Sequence, residues 1–92
     1  MNQEKDKDKH HDNDLTVTVF SPREPEPRTF TWPKTTRVGD AAAEAAAAFG
    51  LVGGTPTFRN DAQDILDRDK PLIAEKVRDG DRLELVDIGG GV

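Results

Sequence analysis

Ser21 is the one serine of this 92-residue chain, His10 and His11 are its two histidines, and it has no cysteine. Nucleophilic catalysis needs a hydroxyl or thiol within reach of a base that a third group orients. Here the serine opens a proline-rich stretch, Ser21-Pro22-Arg23-Glu24-Pro25-Glu26-Pro27, while both histidines sit in an N-terminal run with no apolar residue after Met1. Adjacent histidines could chelate a metal loosely, but a tight site needs a third or fourth ligand held by a scaffold. The carboxylates scatter over turns without a pocket-forming context. Neither Gly53-Gly54 nor Gly89-Gly90-Gly91 is followed by a helix opening with Lys-Ser or Lys-Thr, so neither reads as a phosphate loop. No catalytic residue, metal site or cofactor of its own is expected, and the chain is not expected to be an enzyme. Three exposed amines remain, those of Lys5, Lys7 and Lys9, together with the closing run LELVDIGGGV. That run raises a question of its own: three glycines follow a strand-like segment, and a single valine follows them.

Composition narrows the setting in which such groups could act. With 34% hydrophobic residues the chain fits one domain with a thin core, since a domain this small buries roughly 60% of the surface its unfolded chain exposes. A large substrate cavity is not expected. The lack of cysteine removes disulfides and thiolate metal sites, and the N-terminus lacks the apolar core of a secretory signal. A cytoplasmic location is the expectation. No apolar run approaches the roughly 20 residues that span a bilayer, so no membrane partner is expected. The net charge of −5, from 13 Lys+Arg against 18 Asp+Glu, comes without a basic stripe, which argues against nucleic acid.

The elements that must position the closing run follow from periodicity. Residues 1–14 cannot bury enough apolar surface to offset the entropy of ordering and read as a disordered charged tail. Leu15 to Phe20 reads as a first strand, with Leu15, Val17 and Val19 on one face. The stretch from Ser21 to Pro27 breaks it, and its Pro22-x-x-Pro25 reads as a turn before a second strand, Arg28 to Trp32, with Phe30 and Trp32 on one side. A helix is expected from about Val38 to Phe49. Threonines before it would cap it, Asp40 and Glu44 would suit the dipole, alanine has the best propensity, and Gly50 would end it. Val38, Ala41 or Ala42, Ala45 and Phe49 make its apolar stripe. Thr55 to Arg59 is a short strand, with Pro56 at an edge or a first position. Ile65 to Leu72 reads as a very short strand, a polar turn and an apolar anchor, Val77 to Arg82 as a tight turn, and Arg82 to about Asp87 as the last strand. The pattern predicts an α+β fold, one helix on a mixed sheet of four to five strands.

This order of elements carries a resemblance. The Leu66-Asp67-Arg68-Asp69-Lys70-Pro71-Leu72 spacing, the approach Val77-Arg78-Asp79-Gly80-Asp81 to Leu83-Glu84-Leu85-Val86, and the terminal Gly89-Gly90-Gly91 together resemble the ubiquitin-like β-grasp modifiers over residues 15–92. The glycines followed by an extra residue look most like the bacterial ubiquitin-like proteins. Those accompany activating enzymes, conjugating enzymes and JAB-type peptidases. The resemblance implies a β-grasp domain over residues 15–88 and a flexible glycine tail over residues 89–92.

It also implies what the tail is for. An activating partner that uses ATP would draw the chain end through a narrow tunnel, and only residues without a β-carbon let the backbone approach so closely. The Gly91 carboxylate would become an acyl-adenylate, then a thioester or oxyester on a partner, and finally an amide on a target amine. Val92 would be the extension that a JAB-type or other processing peptidase removes. Only Asp87 and Ile88 separate Val86 from the first glycine, a shorter and less basic spacer than the arginine-bearing tail of ubiquitin, which implies a dedicated enzyme set. Val86 would match a member of ubiquitin's apolar recognition patch, with Ile88 beside it as partner surface, while Ser21 and Arg59 would fall at its other positions. Lys5, Lys7 and Lys9 would be acceptors for further copies. Two other readings stand beside this one: a sulfur carrier with a terminal thiocarboxylate, resembling those of thiamine and molybdopterin synthesis, and a non-covalent β-grasp interaction domain. The sulfur carriers usually end on the glycine pair itself, without a residue like Val92.

Overall fold

The computed structural model describes residues 13–51 and 53–88. Strand β1 (Asp14–Phe20) pairs antiparallel with β2 (Arg28–Pro33), in a register that sets Val17 against Phe30 and Leu15 against Trp32. Helix α1 (Val38–Ala48) follows, then β3 (Pro56–Arg59), a 3₁₀ turn (Leu72–Glu75) and β4 (Arg82–Asp87). The sheet order is β2-β1-β4-β3. The first and last strands therefore lie parallel at the centre, Val19 beside Leu83, and β3 closes one edge antiparallel to β4. Pro56 opens that edge strand, where a missing ladder donor costs least. The expected short strand near Ile65 is only an isolated bridge to Arg59, so the sheet has four strands among the described residues.

The core lies between one sheet face and the helix. Leu15, Val17, Val19, Leu83 and Leu85 alternate inward, and the helix brings Val38, Ala41, Ala42, Ala45, Ala46 and Phe49 onto them. Small alanines let the helix lie close, and the volume is made up by Phe58, Trp32, Leu66, Leu72 and Val77. Both leucines of the Leu66-to-Leu72 spacing are buried, as anchors of the segment that returns to β4. Thr57 is buried as well, its hydroxyl donating to the Leu66 carbonyl at 2.9 Å.

The helix ends are made differently from the sequence expectation at one end and as expected at the other. The threonines do not cap the helix: Arg37 is the N-cap residue and makes no side-chain cap bond. Instead the Val38 N–H donates to the Lys70 carbonyl and the Gly39 N–H to the Arg68 carbonyl, both at 2.9 Å, so a distant loop satisfies donors that a local hydroxyl would otherwise take. Gly39 belongs to the same arrangement. A Cβ there would meet the Arg68 guanidinium at 3.0 Å, and that side chain crosses the helix start to donate from Nε to the Pro56 carbonyl at 2.7 Å. Glu44 lies beyond the first turn; its carboxylate accepts the Trp32 indole N–H at 2.6 Å and ties the helix to β2. At the other end Gly50 has φ +79°, the Gly50 N–H bonds the Ala47 carbonyl and the Leu51 N–H the Ala46 carbonyl, a Schellman closure.

Candidate functional site

The end of β4 is where the fold delivers the closing run. Leu83 and Leu85 point inward, and Glu84 and Val86 alternate to the open face. Beyond the strand the Ile88 N–H donates to the Thr55 carbonyl at 3.0 Å, and the Thr55 N–H donates to the Asp87 carboxylate at 2.9 Å. These two bonds fasten the last described residues to the start of β3. Gly54 makes room for the clasp: its φ is +79°, and a Cβ there would collide with the Asp87 carboxylate. Of the two predicted partner-surface residues, Val86 is half-buried and Ile88 is 53% exposed, one of three large apolar side chains so exposed among the described residues.

On the other side of β4 the ladder is cut short. The Thr18 N–H bonds the Asp81 carbonyl at 3.0 Å, which in a parallel pair sets the alternation that would next bring residue 22 to the Leu85 carbonyl. Residue 22 is proline and has no N–H to give. Pairing with β1 therefore stops at Phe20 and Glu84, and an open-sided depression of about 380 Å³ lies where the next residues would have paired. Pro22, Leu51, Pro56, Leu85 and Val86 line it, with Arg23 and Asp87 among the lining residues. Sequence reasoning placed the strand break at Ser21 to Pro27 but missed the depression, whose signal was Pro22, two residues past the end of β1.

Ser21 lines the same depression as Val86, and Arg59 does not. Ser21 continues the inward face of β1, is 5% exposed, and accepts the Arg23 N–H on its hydroxyl at 3.2 Å. Arg59 pairs across strands with Glu84, its Nη2 2.5 Å and its Nε 3.1 Å from one carboxylate oxygen. An ion pair about one third exposed stands on the open face there, with the Arg82 guanidinium 5.4 Å over the Phe20 ring nearby. Such a face offers little to a reader of apolar surface.

The other predicted site residues lie outside the described residues: Lys5, Lys7 and Lys9, the His10-His11 pair, and Gly89, Gly90, Gly91 and Val92. Among the described residues no group of three His, Cys, Asp or Glu is placed to hold a metal, and no helix is long and apolar enough to cross a membrane.

No protein-family model matches the sequence, and no curated protein does. Solved structures do match. A ubiquitin of Caldiarchaeum subterraneum superposes with a TM-score of 0.71 at 18% identity, over 86% of this chain and 99% of its own. A structure described as "Molecular Mimicry of SUMO promotes DNA repair" gives 0.71 at 15% identity, over 80% of this chain and 91% of its own. A chain of the toluene 4-monooxygenase HD complex also gives 0.71, at 10% identity over 80% of this chain and 98% of its own. At these identities the likeness is one of fold, and one fold hosts several functions. A four-stranded mixed sheet with its first and last strands at the centre, one helix across it, and these neighbours in fold space together give the chain the ubiquitin-like β-grasp fold.

Proposed function

We propose that the chain is a ubiquitin-like protein modifier, matured by cleavage after Gly91, activated as an acyl-adenylate by a partner that uses ATP, and conjugated to target amines. The observation that carries this reading is the position of the glycines: they follow by one residue the end of the central strand in a ubiquitin-like fold. The chemistry needed from this chain is only a carboxyl group on a backbone thin enough to enter a partner's active site. An activating enzyme, a conjugating enzyme and a JAB-type or related peptidase complete the scheme, with the nucleotide bound by the first of these.

The test is the intact mass of the protein from its native cell, with the C-terminal peptide sequenced. Loss of Val92, with Gly91 as a free carboxylate or in amide linkage to another protein, is the expected result. A thiocarboxylate at that glycine would replace the reading by sulfur transfer. The toluene 4-monooxygenase chain favours a second reading, a non-covalent β-grasp domain, because it carries the same fold inside an enzyme complex. Recovery of the chain with Val92 still attached, in cells where the processing enzymes are active, would select that one.

A further inference from the structure

We infer that the chain associates with a second copy of itself through the outer edge of β2, the two β2 strands pairing antiparallel about a twofold axis at Phe30. The inference goes beyond the modifier reading and does not rest on it. The sheet order β2-β1-β4-β3 leaves two edges, and they are finished differently. At β3 the chain covers its own edge: the Phe58 carbonyl accepts the Leu66 N–H at 2.9 Å, and the Pro56 carbonyl accepts the Arg68 side chain at 2.7 Å. At β2 no strand among the described residues does the same.

Register tells which groups of β2 face outward. The Lys34 N–H bonds the Asn13 carbonyl at 2.8 Å, so along the antiparallel pair Trp32, Phe30 and Arg28 turn their backbone groups towards β1, while Thr29 and Thr31 turn theirs away. The far side of β1 shows the same parity, since the Thr16 and Thr18 N–H groups opposite these threonines point away from β2, to the Asp79 carboxylate and the Asp81 carbonyl. Pro27 and Pro33 hold the next outward positions, and neither has an N–H. The open edge is thus a window of two donors and two acceptors framed by prolines, too short for a long foreign strand.

A second copy fits this window. With Thr29 opposite Thr31 of the other copy, every outward N–H of both chains meets a carbonyl, giving an isologous contact. Phe30, half-buried against the core, then lies opposite its own equivalent in the non-hydrogen-bonded position, where side chains approach closest and aromatic pairs stabilise. The same register sets the exposed Glu26 opposite Lys34 of the other copy at both ends, so opposite charges flank the pairing. Moving the axis to Thr31 would call on the Pro33 carbonyl, which already accepts the Thr36 N–H at 2.9 Å, and moving it to Thr29 would call on Pro27, outside the strand.

The test is sedimentation equilibrium of the purified full chain up to about 1 mM. The expected mass rises with concentration from 10.1 kDa towards twice that value. Thr29→Pro removes an outward N–H that bonds nothing in β1 and should weaken association by about tenfold or more, with cooperative thermal unfolding retained. Lys34→Glu should weaken it as well, and adding Glu26→Lys should restore it, a rescue that a damaged fold would not give. Because the chain has no cysteine, Thr29→Cys and Thr31→Cys report the register. Mixed and mildly oxidised, they should form a disulfide with each other; alone, each should bridge poorly, since equivalent positions then lie beyond the roughly 7 Å that a disulfide spans. A monomer at every concentration would overturn the inference and leave the edge to another protein's strand. A dimer indifferent to Thr29→Pro and to the charge exchange, or one in which either cysteine variant bridges to itself as readily as to the other, would overturn it too, by placing the contact on another surface or in another register.

Discussion

Three single residues separate fold from tail most sharply. Leu85 is 4% exposed in the central strand, and Leu85→Ala should cost about 2 to 5 kcal/mol, a large share of what a small domain has. Denaturant melts will read it directly. Gly91→Ala should leave those melts unchanged while slowing adenylation by about tenfold or more, the kinetic equivalent of about 1.4 kcal/mol. If both variants lost stability alike, the tail would be part of the fold. Gly54 belongs to neither class, because its positive φ and its closeness to the Asp87 carboxylate are separate constraints. Gly54→Ala should therefore destabilise by about 1 to 3 kcal/mol, and adding Asp87→Ala should recover only the part due to the collision. A double-mutant cycle in thermal unfolding measures that part. None of this could be read from the Gly53-Gly54 pair alone, since which carboxylate would oppose a side chain depends on the pairing of β3 with β4.

At the scale of elements the helix is the best example of local rules and tertiary replacement. Its interior and its C-terminal end were legible: alanine propensity, the stripe through Val38, Ala45 and Phe49, and a glycine stop at Gly50 with φ +79°. Its N-terminal end was not. The first N–H groups bond to the Lys70 and Arg68 carbonyls, residues some thirty positions away that no local pattern brings near. With Arg37 at the N-cap, a cation faces the positive end of the helix dipole. Arg37→Asp should accordingly stabilise the domain by about 0.5 to 1 kcal/mol, observable as a raised Tm. The strands were legible by alternation, and the last strand spans Arg82–Asp87 as expected. The short strand near Ile65 reduces to a bridge because Leu66 instead anchors into the core, where the Thr57 hydroxyl meets its carbonyl. Thr57→Val should cost about 1 to 3 kcal/mol by leaving that carbonyl without a donor.

For the whole molecule the sheet order decides where the last strand lies. The parallel pairing of the first and last strands sets both in the middle of the sheet as far as Glu84, while Asp87 and Ile88 beyond it are exposed and fastened to Thr55 at the edge strand. The ion pair between Arg59 and Glu84 on the open face gives the domain a charged surface there, unlike an apolar patch. If the N-terminal lysines accept further copies, replacing Lys5, Lys7 and Lys9 together by arginine should remove ladders of higher mass on a denaturing gel. Ladders of unchanged intensity would show that the acceptors are elsewhere.

Periodicity, propensity and turn chemistry are local properties, and they sufficed for the number and order of the main elements, the α+β class and the residues of the buried faces. They also sufficed to single out the glycines, since a backbone without side chains is a property of the sequence itself. The tertiary structure alone decided which backbone groups meet. It set Pro22 opposite the Leu85 carbonyl, cut the central ladder there and opened the depression; it brought Thr55 to Asp87 and Ile88; and it gave the helix its cap from a distant loop. The physical reason is common to all three. Hydrogen-bond partners across a sheet are fixed by register, and register is set by how the buried faces of several elements fit together, which no single segment contains.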